Sequence, residues 1–362
     1  MKKLKLALLG CGDVAQRDYL PEFHRIADKA VLVAVCGRTA DRAKSVAAQY
    51  GIPAWYTDHE EMLAVSDADA VISLTPNQLH AEMTRAALRA NKHVYSEKPV
   101  AGSVEDASQL RDDARRQGLT LVCAPSVLLY PQLRYALARV AAGDIGEVYS
   151  ARGNGHGGVP PWGGYPSDPS PFFAKGGGPA IDMGVYPLHA LTGIIGPAQR
   201  VTAMTAQAQR SFDVIEGPLA GATVPIEAPD NWHIVLDFGG QRLASVEASN
   251  CVRDSRSPQL ELFGLDGTIA LNLLDVSAPI EILRAGRGWE SIELPRTGRA
   301  SGPDHILGVE HLVDCVQTGQ SPVLSVDHAI HVLEIIIQAE MSAQTGQAMS
   351  ITNTFRSALS VA

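Results

Sequence analysis

Three residues near the middle of the chain are suited to moving protons. Asp182, Tyr186 and His189 stand four and three positions apart, so on a helix they share one face. A carboxylate, a phenol and an imidazole facing the same way form a proton-handling constellation. Lys98, in Glu97-Lys98-Pro99, ends a short apolar run. An ammonium in that place can stabilise developing alkoxide charge and orient a hydroxyl. A second chemistry is written at the N-terminus. The apolar run Leu6 to Leu9 ends at Gly10, Gly12 follows, and Ala15 takes the third small-residue place of a G-x-G-x-x-G/A pattern. Gly10 permits the tight turn, Gly12 lets a pyrophosphate approach the backbone, and Ala15 lets the next helix pack closely. The N–H groups that open this helix, around Asp13 and Val14, face the phosphates.

The elements that must position these residues follow from periodicity. Val31 to Cys36 is a second apolar strand, ending at Gly37-Arg38, with Arg42 one turn into the next helix. A carboxylate at this strand end binds the ribose 2′-OH of NAD, and an arginine accommodates the 2′-phosphate of NADP. Here the carboxylate is missing, so NADP is the expected cofactor, with NAD the alternative. Ala68 to Leu74 is a third strand that runs into Thr75-Pro76-Asn77-Gln78-Leu79-His80 and then a helix. His93 to Ser96 is a fourth, followed by a helix from about Ser103 to Gln117, and Leu119 to Ala124 is a fifth. Such alternation implies a parallel sheet covered on both faces, with ligands at the C-terminal ends of its strands. Gly10, Arg38, Thr75 and Lys98 all lie at those ends.

After residue 124 the rhythm changes. A helix from about Pro131 to Ala142 leads to a strand from Glu147 to Arg152, then to a Gly- and Pro-rich loop from Gly153 to Pro179. A loop this long is usually functional or disordered. It holds His156, Trp162, Tyr165, Phe172 and Phe173, which suit the face of a sugar or packing against the domain. Six β-like runs between residues 199 and 300, with few helices among them, imply a mostly antiparallel open sheet packed on the helix that carries Asp182. Two helices, about His305 to Gln317 and Asp327 to Gly346, end the chain. His328 and His331 share a face of the last one, but no third ligand is near in sequence, so no metal site is expected. The expected organisation is α/β: an NAD(P)-binding Rossmann domain over 1–124, then an α+β domain over 125–362 for substrate binding and oligomerisation. The last helices are free to pack back on the first domain.

With 362 residues, 46% of them hydrophobic, the chain can build two sizeable cores. A net charge of −9 without a basic block argues against nucleic acid and against an anionic membrane surface. The five cysteines include no C-x-x-C pair, which fits reduced thiols in a cytoplasmic protein. No apolar stretch approaches the length of a membrane span.

Taken together, the glycine turn, Thr75-Pro76-Asn77-x-x-His80 and Glu97-Lys98-Pro99 resemble the Gfo/Idh/MocA oxidoreductase family, and the resemblance extends over nearly the whole chain. It implies cofactor contacts from Gly10, Gly12, Asp13, Val14, Ala15, Gly37, Arg38, Arg42, Thr75, Pro76, Asn77, His80, Glu97 and Lys98. Substrate contacts are expected from Lys98, His156, Trp162, Asp182, Tyr186 and His189. The family's second signature reads Gly-Gly-Gly, then Asp, then His four residues later. Here Gly176-Gly177-Gly178 precedes Asp182, and Tyr186 holds the His position. Members with this variant resemble the present chain in offering the tyrosine as acid/base. His189 stands where many relatives carry Asp and is the rival proton carrier. The implied activity is reversible hydride transfer between a nicotinamide cofactor and a hydroxyl or carbonyl of a sugar, polyol or related cyclic alcohol, with Lys98, Asp182 and Tyr186 as catalytic residues. Alternatives are a glycosidase or lyase that oxidises its substrate transiently with tightly bound NAD(P), and a cofactor-sensing regulator without turnover. The resemblance also implies a homodimer or homotetramer, with the exposed face of the second sheet as the contact.

Overall fold

The computed structural model describes residues 2–165, 167–275, 277–295, 298–299 and 302–357. It divides into two compact units, Met1–Ser126 with Asp304–Ile330, and Val127–Pro303 with His331–Ala362.

The first unit is built on β1 (Leu4–Leu9), β2 (Ala30–Cys36), β3 (Ala54–Tyr56), β4 (Ala70–Ser73), β5 (His93–Ser96) and β6 (Leu121–Cys123). All pairs are parallel and the spatial order is β3-β2-β1-β4-β5-β6. β4 is buried along its whole length, and β1 except at Lys5. Burial on both faces explains why these strands read as continuous apolar runs. The order reverses between β1 and β4, which opens the crevice where such sheets bind ligands. The connecting helices are Ala40–Tyr50, His59–Val65, His80–Arg89 and Val104–Gln117. Each buries a narrow stripe, such as Ala43, Val46 and Ala47 on the first. The regular helix expected after the glycine turn is instead a π-helical turn, Ala15–Tyr19, closed by the Leu20 N–H donating to the Ala15 carbonyl at 2.8 Å. It buries Ala15 and brings Tyr19 inside.

Helix Ile306–Thr318 completes this unit, packing along β5 and β6. Gly308 makes the approach possible, because a Cβ there would stand 2.5 Å from the Tyr95 ring. Arg25 forks onto Asp304 through two hydrogen bonds of 2.7 and 2.9 Å, and Lys29 pairs with Glu310 at 2.7 Å.

The second unit holds β7 (Val148–His156), β8 (Arg200–Ala206), β9 (Ser211–Asp213), β10 (Thr223–Pro225), β11 (Asn231–Asp237), β12 (Leu243–Ser249), β13 (Leu260–Gly264), β14 (Gly267–Leu271), β15 (Ile280–Arg284), β16 (Gly288–Ile292) and β17 (Met349–Ser350). Nine of them form one sheet, β16-β15-β14-β13-β7-β12-β11-β8-β17, while β9 and β10 form a separate ribbon. Within the large sheet β7 and β12 pair in parallel and the other neighbours antiparallel. Helix Val185–Ile195 packs on its inner face.

β7 runs four residues beyond the expected end at Arg152, through Gly153 and Gly155. These glycines are points of close packing rather than of looping. A Cβ on Gly153 would lie 2.6 Å from the Pro187 side chain, and one on Gly155 2.4 Å from the Met183 carbonyl. The aromatic segment after β7 carries a short helix, Ser170–Phe173. Phe173 forms a core with Phe212, Val214, Val224 and Ile226.

Candidate active site

In the first unit, the C-terminal edge of the parallel sheet gathers the glycine turn, the loop after β4 and the end of β5. Gly10 has φ +91°, and a Cβ on it would lie 2.6 Å from the Leu74 carbonyl oxygen. A Cβ on Gly12 would meet nothing within 4 Å, so its backbone borders open space. Gly37 leaves room for the Cys11 thiol, which would stand 2.3 Å from an added Cβ. Asp13 pairs with Arg17 at 2.5 Å, and Val14 leads into the π-helical turn.

Thr75 Oγ1, Asn77 Oδ1 and Ser73 Oγ are buried without a hydrogen-bond partner among the described residues. Buried polar atoms in this condition are rare, because each costs the desolvation of a group that water would have satisfied. Their clustering beside the glycine turn fits a dinucleotide whose hydroxyls and phosphates supply the missing partners. Pro76, between the first two, has φ −55° and no N–H to leave unpaired. Arg38 and Arg42 are exposed beyond the end of β2.

His80 is 2% exposed and spans two loops, with Nδ1 2.6 Å from the Pro99 carbonyl and Nε2 2.7 Å from the Thr75 carbonyl. Burial pushes its pKa down, and its two nitrogens meet backbone rather than an open site. It is a brace between the β4 loop and the turn that carries Lys98. Glu97, expected among the cofactor contacts, also turns inward. Its Oε2 accepts the Lys98 N–H at 2.8 Å, and its Oε1 accepts a short hydrogen bond from the Tyr19 hydroxyl. Nothing in the spacing of the sequence links Tyr19 to Glu97, so this contact was not legible before the fold.

In the second unit, Asp182 lies in a π-helical turn, Ala180–Gly184, that runs into helix Val185–Ile195. Asp182 and Tyr186 keep their four-residue spacing across the junction of the turn and the helix. Tyr186 and His189, both inside the regular helix, keep theirs. Asp182 is half-buried, Tyr186 is 4% exposed and His189 5%. The imidazole of His189 is pushed down to about 3 by burial and by the neighbouring His331. His331 itself accepts from the Ala198 N–H at 3.0 Å through Nε2, while Nδ1 stands 2.7 Å from the Asn353 carbonyl.

Two loop candidates stand elsewhere. Strand alternation turns Gly153 and Gly155 toward the helix and His156 to the opposite face of the sheet, 3.5 Å from Glu247. His156 is therefore not on the side of Asp182 and Tyr186. Trp162 donates its indole N–H to the Gly158 carbonyl at 3.2 Å and packs against Phe172 and Phe173, with ring centroids 5.6 and 5.0 Å away.

The model of an oxidoreductase family with an NAD-binding Rossmann fold matches residues 4–124, and that of the GFO/IDH/MocA C-terminal domain matches residues 133–270. This chain belongs to the GFO/IDH/MocA family. Among characterised relatives, D-glucoside 3-dehydrogenase of Escherichia coli is 34% identical over 202 residues, 53% of this chain and 54% of its own length. A dTDP-3,4-didehydro-2,6-dideoxy-alpha-D-glucose 3-reductase of Streptomyces violaceoruber is 34% identical over 56% of this chain and 57% of its own. The matched region thus spans little more than half the length of these two relatives. The scyllo-inositol 2-dehydrogenase (NAD(+)) of Bacillus subtilis matches 89% of both chains at 23% identity. Among solved structures, aldose-aldose oxidoreductase from Caulobacter crescentus superposes with a TM-score of 0.82 over 97% of this chain and 100% of its own, at 23% identity. A levoglucosan dehydrogenase reaches 0.86 over 98% and 100%, at 20% identity. At such identities the superpositions speak for the fold. Among the described residues no helix is long and apolar enough to cross a membrane.

Proposed function

We propose that this chain is an NAD(P)-dependent oxidoreductase acting on a CH–OH group of a sugar, polyol or related cyclic alcohol. The observation that carries the reading is one edge of one sheet. There, open space at Gly12 and the unpartnered Thr75 and Asn77 adjoin a strand end that presents Lys98. The backbone at Gly10, Gly12, Asp13, Val14 and Ala15 receives the phosphates. Thr75, Pro76 and Asn77 line the dinucleotide, and Arg38 with Arg42 favours NADP over NAD through charge-assisted contacts to a 2′-phosphate. A bound nicotinamide supplies the hydride acceptor or donor. Lys98 orients the reacting hydroxyl and stabilises alkoxide charge. Tyr186 exchanges the hydroxyl proton, and Asp182 orients the substrate by hydrogen bonding. His189, neutral and enclosed, is a packing residue in this reading. Names of relatives that act on glucosides and inositol support the substrate class.

The chain acts as a homodimer or homotetramer. Support comes from the outer face of the nine-stranded sheet, which leaves Met204 77%, Leu243 49% and Val235 46% exposed. Exposed apolar patches of this kind mark interfaces. A panel of sugars and polyols, followed at 340 nm with NAD and with NADP, tests the activity. Cofactor binding without turnover of any of them would refute it in favour of a regulator.

A further inference from the structure

Glu97 is buried, at 7% exposure, one residue before Lys98. Burial alone would push a carboxyl up. Opposing it, His305, Lys98, the Tyr19 hydroxyl and the Lys98 N–H hold Glu97 below the ordinary carboxylate range. The oxygens divide the work. Oε2 accepts the Lys98 N–H at 2.8 Å. Oε1 takes the Tyr19 hydroxyl and lies 3.6 Å from His305 Nδ1. The Tyr19 and His305 rings stack at 5.3 Å, and the Tyr95 hydroxyl is 3.1 Å from that of Tyr19. The partners come from three separate parts of the chain: the π-helical turn after the glycine loop, β5, and the residue before helix Ile306–Thr318.

We propose that Tyr19, Glu97 and His305 form a positioning assembly for Lys98, fixing its backbone and setting an anion beside it. This rests on the reading of Lys98 as a catalytic residue. The Tyr19 hydroxyl holds Oε1 and His305 stands beside it, which restrains the carboxylate and keeps Oε2 on the Lys98 N–H. The assembly also ties the turn that faces the phosphates to the residue that faces the substrate. None of the three is a catalytic residue, since each acts through Lys98.

A double-mutant cycle tests the coupling, because residues acting through one another are non-additive. Glu97→Gln keeps the volume and removes the charge. It should lower kcat about tenfold or more in the unmodified enzyme and less than about twofold in a Lys98→Ala background. NADP affinity should stay within about threefold in both, whereas damage to the fold would weaken it. Equal losses in the two backgrounds overturn the proposal. Tyr19→Phe gives a readout that needs no turnover, the exchange rate of the Lys98 amide resolved by mass spectrometry. That rate should rise about tenfold with the melting temperature held, and unchanged protection overturns the proposal. If the unmodified protein oxidises no polyol while Tyr19→Phe still accelerates this amide, the positioning stands and the assigned reaction fails.

Discussion

His189 separates the two candidate proton carriers, and its surroundings give the size of the effect. Held near 3 by burial and by His331, its imidazole is protonated in about one molecule in ten thousand at pH 7. A group so placed neither accepts a proton from a substrate hydroxyl nor returns one in the working range. Its cost appears in stability instead. In the unfolded chain the same histidine titrates at its ordinary 6.5. Between the two values the unfolded state binds the extra proton, so stability is complete above 6.5 and is lost as pH falls. At pH 5 the gap is about 1.5 units, or roughly 2 kcal/mol. For a unit of this size that is about 4–8 °C in melting temperature. Burial depresses His80, His93 and His331 in the same direction, so the informative quantity is the difference between two proteins. His189→Gln keeps a polar side chain and deletes the titration. Melting curves between pH 8 and 5 should fall less steeply for the variant, by about the amount above, while kcat at pH 7.5 stays within about threefold. Parallel curves would refute the burial argument. Abolished turnover with intact cofactor binding would move the proton role to His189.

Tyr186→Phe keeps the packed ring and deletes the hydroxyl, so kcat should fall about 10²–10⁴-fold under saturating cofactor. Retention of more than about half the activity would remove Tyr186 from the chemistry. Arg38→Ala should weaken NADP binding about ten- to a hundredfold and leave NAD unchanged, as read by calorimetric titration. Tighter binding of NAD than NADP by the unmodified protein would overturn the cofactor assignment. Light scattering at micromolar concentration should give at least twice 38.5 kDa, and a monomer would leave the outer sheet face unexplained. Gly155→Ala drives a methyl against the Met183 backbone and should destabilise the protein by about 1–3 kcal/mol, seen as a lower denaturation midpoint.

Much of the architecture was legible because its causes are local. β1, β2, β4 and β5 are apolar runs since both faces of their sheet are covered, and the glycine turn announces itself by spacing. Less legible were features whose causes are distant in sequence. Gly153 and Gly155 read as loop because glycine usually breaks strands, whereas here the helix behind β7 leaves no room for a Cβ. Once β7 continues to His156, alternation alone moves that imidazole to the far face. β3, β16 and β17 are short edge strands with little apolar signal. Glu97 looked like a cofactor contact by motif. Its real partners, Tyr19 and His305, become neighbours only through the fold.

The first unit takes its last pieces from residues 304–330, and this orders events at the ribosome. Arg25 emerges long before Asp304, its partner 279 residues away. Until then the nascent sheet carries Glu97 with no His305 beside it, and β5 and β6 with no helix Ile306–Thr318 over them. Domains generally complete themselves as they leave the exit tunnel. This one has to wait, with an exposed apolar flank, while β7 to β16 of the second unit are synthesised. Dependence on a chaperone during that interval, and failure of a 1–126 fragment to hold a stable fold, are the natural consequences of a first unit completed only after most of the second has been made.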